Sequence, residues 1–297
     1  MSFNDDSSLD TSQVEGGGGG GFPGGGMAVG GGVGGILLLV LAVIFGPGVL
    51  QGGGTSPGVS TQSAGGSDFT QCRTGADANR DATCRVVGTV NSVQAYWATA
   101  LPRYGKDYTR APTVLYSGAT PSACGTASNQ VGPFYCPLDR KVYIDVSFFD
   151  ELTSRFGADN GKLAQEYVVA HEYGHHIQDI LGVLDAAQQD PQGAQSGSVR
   201  IELMADCFAG VWANHASQTQ DRSGRTFLKT LTPADIQSAL SAASAVGDDR
   251  IQQKVQGRVT PESWTHGSSA ERQQWFTTGY RTGDLNQCDT LHAGALD

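Results

Sequence analysis

The sequence predicts an α+β domain, mainly helical with a small sheet, preceded by one transmembrane helix. Three observations carry that prediction. Apolar residues recur at helical spacing along most of the C-terminal 230 or so residues. Strand-like alternation is confined to two short stretches of the same region. Upstream of both, residues 27–50 carry no charge and include an unbroken apolar run at 36–45.

Residues 1–26 are acidic and then glycine-rich. Asp5, Asp6, Asp10 and Glu15 lead into the run from Gly16 to Gly21. Such a segment has little to bury and is expected to be disordered. Residues 27–50 approach the roughly 20 residues a helix needs to span a bilayer. Their densely apolar part is the size of a signal-peptide core, but no basic n-region, Ala-x-Ala site or nearby lipidation cysteine accompanies it. An uncleaved single-pass anchor is therefore expected. Residues 51–67, mostly Gly, Ser, Thr, Pro and Gln, read as a flexible linker. That leaves 68–297 as one domain, long enough for a sizeable core.

No Lys or Arg precedes Arg73, so charge does not orient the anchor. The cysteines do. Cys72 with Cys84 and Cys124 with Cys136 each bracket a short loop, which leaves Cys207 with Cys288. An even set after an export-type segment fits disulfides in an oxidising compartment, although other connectivities stay open. The domain is thus expected outside the cytoplasm, held at the membrane by its N-terminal helix.

Within the domain, Val93 and Trp97 mark a helix over residues 90–101 that Pro102 ends. Strands are expected at 113–116 and 141–146. In the second, Val142, Ile144 and Val146 alternate with Tyr143 and Asp145. The next helix opens near the capping residues Asp159 and Asn160 and stops at Gly182. It contains His171-Glu172-Tyr173-Gly174-His175. On an α-helix, His171 and His175 lie one turn apart on one face, where two neutral imidazoles can hold one Zn²⁺. Glu172 is rotated about 100° away. It can stay off the metal and act as general base towards a water. Chance would produce this pattern on the order of 0.003 times in a chain of this composition. Gly174 inside the helix costs about 1 kcal/mol relative to Ala, which another element passing close by would explain.

A helix over residues 198–215 supplies Glu202 and Asp206, four apart on one face among Leu203, Ala205, Cys207 and Phe208. Carboxylates in so apolar a helix need partners. Glu202 is the candidate third ligand, and Asp206 the acceptor for the free ring N–H of a ligating histidine. The bland alternative is two carboxylates on a solvated face. Thr232, Pro233 and Asp235 then start a helix that Gly247 stops. Finally, Ser268-x-x-Glu271 makes a capping box, which puts His266 in the loop before a helix.

These residues resemble those of the neutral zinc metallopeptidase family, bacterial membrane-anchored proteins with a His-Glu-Tyr-Gly-His-His motif. The matching segments are 123–125, 132–137, 142–145, 168–176 and 202–212, with His266 to Ser269, Arg272, Trp275 and Phe276. The resemblance implies a zincin-like, gluzincin-type fold and a zinc metalloendopeptidase. His171, His175 and Glu202 would hold one Zn²⁺ per chain, and Glu172 would be the base. It also implies a peptide or protein substrate paired along an edge strand from the 134–146 region. His266 would stabilise the oxyanion. Arg272 would assist or pair with a carboxylate.

A net charge of −10 and a pI near 4.9 argue against nucleic acid as a partner. The glycine runs lack the strand-then-helix context of a phosphate-binding loop. His176 is too far round the helix from His171 to share its metal, and His215 and His292 read as surface residues. A zinc amidase acting on envelope material would use the same site, and an interaction protein could keep zinc for structure alone. Oligomeric state is not encoded in any of these features.

Overall fold

The computed structural model describes residues 2–17, 69–128 and 131–291. Six strands run β1 (Val14–Gly16), β2 (Thr113–Tyr116), β3 (Ala119–Ser122), β4 (Gly125–Ser128), β5 (Phe134–Cys136) and β6 (Lys141–Asp145). Four of them form a sheet in the order β1-β2-β6-β5, and β3 and β4 form a separate hairpin. In the sheet β1, β2 and β6 are parallel, while β5 is antiparallel at the edge. Two helices lie between β1 and β2 in the chain, α1 (Gly75–Arg80) and α2 (Ala82–Ala100). The rest of the chain is helical: α3 (Phe148–Ser154), α4 (Lys162–Leu181), α5 (Asp185–Gln189), α6 (Gly197–His215), α7 (Pro233–Ala245), α8 (Asp248–Gln256) and α9 (Ser269–Thr282). The mainly helical domain with a small sheet is as expected.

The N-terminal segment is not. Residues 2–17 lie inside the stretch expected to be disordered, yet they pack as a strap across the domain. Phe3 is fully buried. Its ring fills the space above Gly88 of α2, where an added Cβ would come within 2.6 Å of it. The Phe3 N–H donates to Asn79 Oδ1 at 2.9 Å, and Asn79 Nδ2 donates back to the Phe3 carbonyl at 3.0 Å. Asp10 and Asn91 make the same reciprocal exchange at 2.7 and 2.9 Å. Leu9 and Val14 are also buried. Three apolar anchors in so polar a stretch are too few for a local count to detect, but each meets a prepared site in the body of the domain.

The strap also overturns the expected membrane helix. A single crossing over 27–50 would put residues 1–26 and 51–297 on opposite sides of a bilayer. Instead β1 pairs with β2, and Lys141 Nζ reaches Glu15 at 2.6 Å, so both flanks belong to one body. Among the described residues no helix is long and apolar enough to cross a membrane. Residues 27–50, like the 51–67 linker, lie outside the described residues. The fold is therefore corrected to a mixed helix-and-sheet domain in which, among the described residues, there is no transmembrane helix.

Local boundaries follow the capping chemistry. Helix α2 starts eight residues before the expected 90, because the Asp81 carboxylate accepts from Cys84 N–H as N-cap. Helix α9 opens on the expected capping box of Ser268 with Glu271, and α7 opens on the expected Thr232, whose N-cap the structure completes to a capping box with Asp235. Helix α4 lies against the sheet through Tyr173, whose hydroxyl donates to the Ala111 carbonyl at 2.8 Å and sits 2.9 Å from Thr113 Oγ1. Helices α6 and α9 cross in backbone contact. A Cβ at Gly279 would stand 1.9 Å from the Cys207 carbonyl oxygen. Disulfides join Cys72 to Cys84, Cys124 to Cys136 and Cys207 to Cys288. The first secures the start of α2, the second ties the β3–β4 hairpin to β5, and the third fastens the C-terminal segment to α6.

Candidate metal centre

The centre forms where α4 and α6 cross. Gly174 is the contact point: a Cβ there would meet Ala205 Cα at 2.9 Å, its carbonyl oxygen at 3.0 Å and its Cβ at 3.1 Å. Only hydrogen at this position lets the helices come so close. His171 and His175 leave α4 on either side of that contact, and Glu202 leaves α6 to meet them.

Their donor atoms converge. Glu202 Oε2 lies 3.1 Å from His171 Nε2, and Oε1 lies 3.4 Å from His175 Nε2. All the ligand atoms fall within 4.8 Å of one another. The three side chains keep 5–7% exposure, whereas Asp206 and Gln178 behind them are at 0%. The ligand residues thus keep a trace of solvent exposure, while their supports are sealed from water. This set fits zinc: both Nδ1 atoms are engaged elsewhere, so both Nε2 lone pairs, with a carboxylate, face one point.

The supports differ for the two histidines. His171 Nδ1 donates to Asp206 Oδ1 at 2.9 Å. Asp206 in turn accepts from Arg272 Nε at 2.8 Å, from Arg272 Nη2 at 3.0 Å and from the Tyr167 hydroxyl. Burial would raise the Asp206 carboxyl, but Arg272 and then His171 outweigh it and hold it below the ordinary carboxylate value. Asp206 therefore stays ionised in the interior. His175 Nδ1 instead faces the neutral Gln178, with Oε1 at 2.8 Å.

Burial likewise opposes ionisation of Glu202, yet His175 and His171 pull its carboxyl below its ordinary value. Glu172 is shifted the other way: burial raises it. It is 7% exposed, and among the described residues no side-chain hydrogen bond contributes to its shift. Ionised Glu202 suits a ligand, and a carboxyl with raised proton affinity suits a base.

His266 lies in the loop before α9, close enough to Glu202 for its charge to be felt there. Its Nδ1 is 3.2 Å from Asp248 Oδ1, and Asp248 Oδ2 accepts the backbone N–H groups of Thr265, His266 and Gly267 at 2.8, 2.7 and 3.1 Å. Burial would lower the His266 pKa, but Asp248 reverses this and raises it. Arg272 pairs with Asp206, so of its two expected roles it takes the carboxylate-pairing one. His176 points away from the ligands, its Nε2 2.6 Å from the Thr109 carbonyl.

Three residues of this network escaped the sequence reading. Tyr167 lies one turn before His171 and Gln178 three residues after His175, so helical spacing carried a faint signal for both. Asp248 gave none. It follows the helix stop at Gly247, and only the fold brings it under the 265–267 loop.

The profile of the family described as "putative neutral zinc metallopeptidase" matches residues 4–291. The match starts within the strap, in keeping with the strap being part of the domain. An uncharacterized protein of Mycobacterium tuberculosis, Rv2575, is 57% identical over 234 residues, 78% of each chain. The uncharacterized protein YpfJ of Escherichia coli strain K12 is 46% identical over 200 residues, 66% of each chain. No solved structure gives a significant match.

Proposed function

The chain belongs to the neutral zinc metallopeptidase family, and from that premise we propose that it is an endopeptidase whose centre is His171, His175 and Glu202 with Glu172 as general base. The observation that carries this reading is the convergence of two Nε2 atoms and one carboxylate beside the buried Glu172. Zinc held there supplies a Lewis acid and lowers the pKa of a water to about 7. Glu172 takes the proton of the attacking water and passes it to the departing amine nitrogen. His266, held by Asp248, donates to the carbonyl oxygen as negative charge develops on it. Asp206, with Arg272 and Tyr167, keeps His171 in place throughout.

The strand assigned to the substrate backbone is β5. Among the described residues β5 pairs only with β6. Tyr135 of β5 ties that strand to α4, its hydroxyl donating to Asp179 Oδ2 at 2.8 Å. The working protein is assigned to an oxidising compartment outside the cytoplasm, a reading that the three disulfides support.

The test is zinc content and hydrolysis of a mixed peptide library by wild type and Glu172→Gln. One zinc in both proteins is expected, with turnover falling about 10²–10⁴-fold in the variant. Loss of zinc from Glu172→Gln would make Glu172 a ligand, and zinc-loaded wild type inert on every peptide would point to the amidase or the structural site.

A further inference from the structure

We infer that Gln178 is a positioning residue that serves two ligands at once, presenting His175 Nε2 to the metal and clamping α6 at the residue before Glu202. The inference rests on the zinc centre proposed above.

The amide orientation follows from its partners. Gln178 Nε2 lies 2.6 Å from the Ile201 carbonyl oxygen, which can only accept. That end is therefore the NH₂ group, and the other end is the oxygen, 2.8 Å from His175 Nδ1. The oxygen cannot donate, so Nδ1 carries the proton and Nε2 presents a lone pair towards Glu202. One side chain thus selects the tautomer that can bind a metal. Its second bond lands on Ile201, adjacent to Glu202 in the chain. The link runs from the second ligand of α4 to the third ligand on α6, and Gln178 is fully buried, so water does not stand in for either bond.

Charge explains why the residue is an amide. Glu172, Glu202 and Asp206 already put three carboxyl groups in this interior, and Arg272 is spent on Asp206. A fourth buried anion on His175 would have no cation of its own. An amide supplies the acceptor without the charge, and its donor end supplies a cross-tie that a carboxylate lacks.

The experiment measures zinc affinity of the full-length protein by chelator competition for wild type, Gln178→Met and Gln178→Glu. The ring ¹⁵N shifts of His175 are recorded alongside, in the metal-free state. Met matches Gln in length without its polar atoms. It is expected to weaken zinc about 10–100-fold and to erase the preference for the Nδ1–H tautomer. Glu keeps an acceptor on His175 but opposes the Ile201 carbonyl, and is expected to bind roughly tenfold more weakly than wild type. Wild-type affinity and tautomer in Gln178→Met would reduce Gln178 to packing and overturn the inference. If that variant does not fold, wild-type affinity in Gln178→Glu overturns the clamp on α6. A wild type that binds no zinc would refute the metal centre itself, a different failure from either.

Discussion

Replacing Gly174 by alanine sets helix propensity against tertiary packing. In an isolated helix the change would stabilise by about 1 kcal/mol. In this protein the new methyl would stand 2.9 Å from Ala205 Cα, 3.0 Å from its carbonyl oxygen and 3.1 Å from its Cβ. Comfortable contacts begin near 3.5 Å, so α6 must retreat by about 0.5–1 Å. Overpacking of that kind costs roughly 1–3 kcal/mol. The net change therefore runs from about zero to 2 kcal/mol of destabilisation, a fall in melting temperature of at most about 8 °C for a domain of this size. The larger effect should be on the metal. His171 and His175 are carried by α4 and Glu202 by α6, with donor separations now 3.1 and 3.4 Å. A site of this kind tolerates about 0.5 Å of error, so zinc affinity should drop tenfold or more even where the melting point barely moves. Chelator competition and metal-free melting curves read the two effects separately. An alanine variant that melts higher and binds zinc as wild type does would refute the argument that this glycine exists to close the α4–α6 crossing.

Two further outcomes test parts of the molecule away from the centre. Phe3→Ala should destabilise the domain by about 3–5 kcal/mol, because a fully buried aromatic ring is lost from between the strap and α2; an unchanged melting curve would detach the strap from the domain. Glu166 of α4 is fully buried, and neither carboxylate oxygen has a hydrogen-bond partner among the described residues. Burial pushes its carboxyl up to about 7 from 4.5, so the folded state holds the proton more tightly than the unfolded state does. The resulting stability is complete below about pH 4.5 and is lost as pH rises through 7. Glu166→Gln should therefore gain on wild type between pH 5 and pH 8, by at most about 3 kcal/mol. A difference in melting temperature that is flat across that range would contradict it.

The amino-acid sequence by itself determined the parts that depend on short separations. The spacing of His171, Glu172 and His175 needs only helix geometry, and the N-cap at Thr232 and the capping box at Ser268 need only four residues each. Cys72 with Cys84 and Cys124 with Cys136 are near in the chain, so loop length alone favours their pairing. Glu202 and Asp206 stood out because carboxylates in an apolar helix demand partners. Tertiary structure decided everything that depends on meetings between distant segments. Asp248 reaches His266 from 18 residues away, Arg272 reaches Asp206 across 66, and Phe3 reaches Asn79 across 76. No local pattern encodes such pairs, because each is selected by the burial of many other residues at once. The same cause misled the reading of the N-terminus. A tail judged by its own composition has little to bury, but the site that buries it is built by residues that follow the long segment after it.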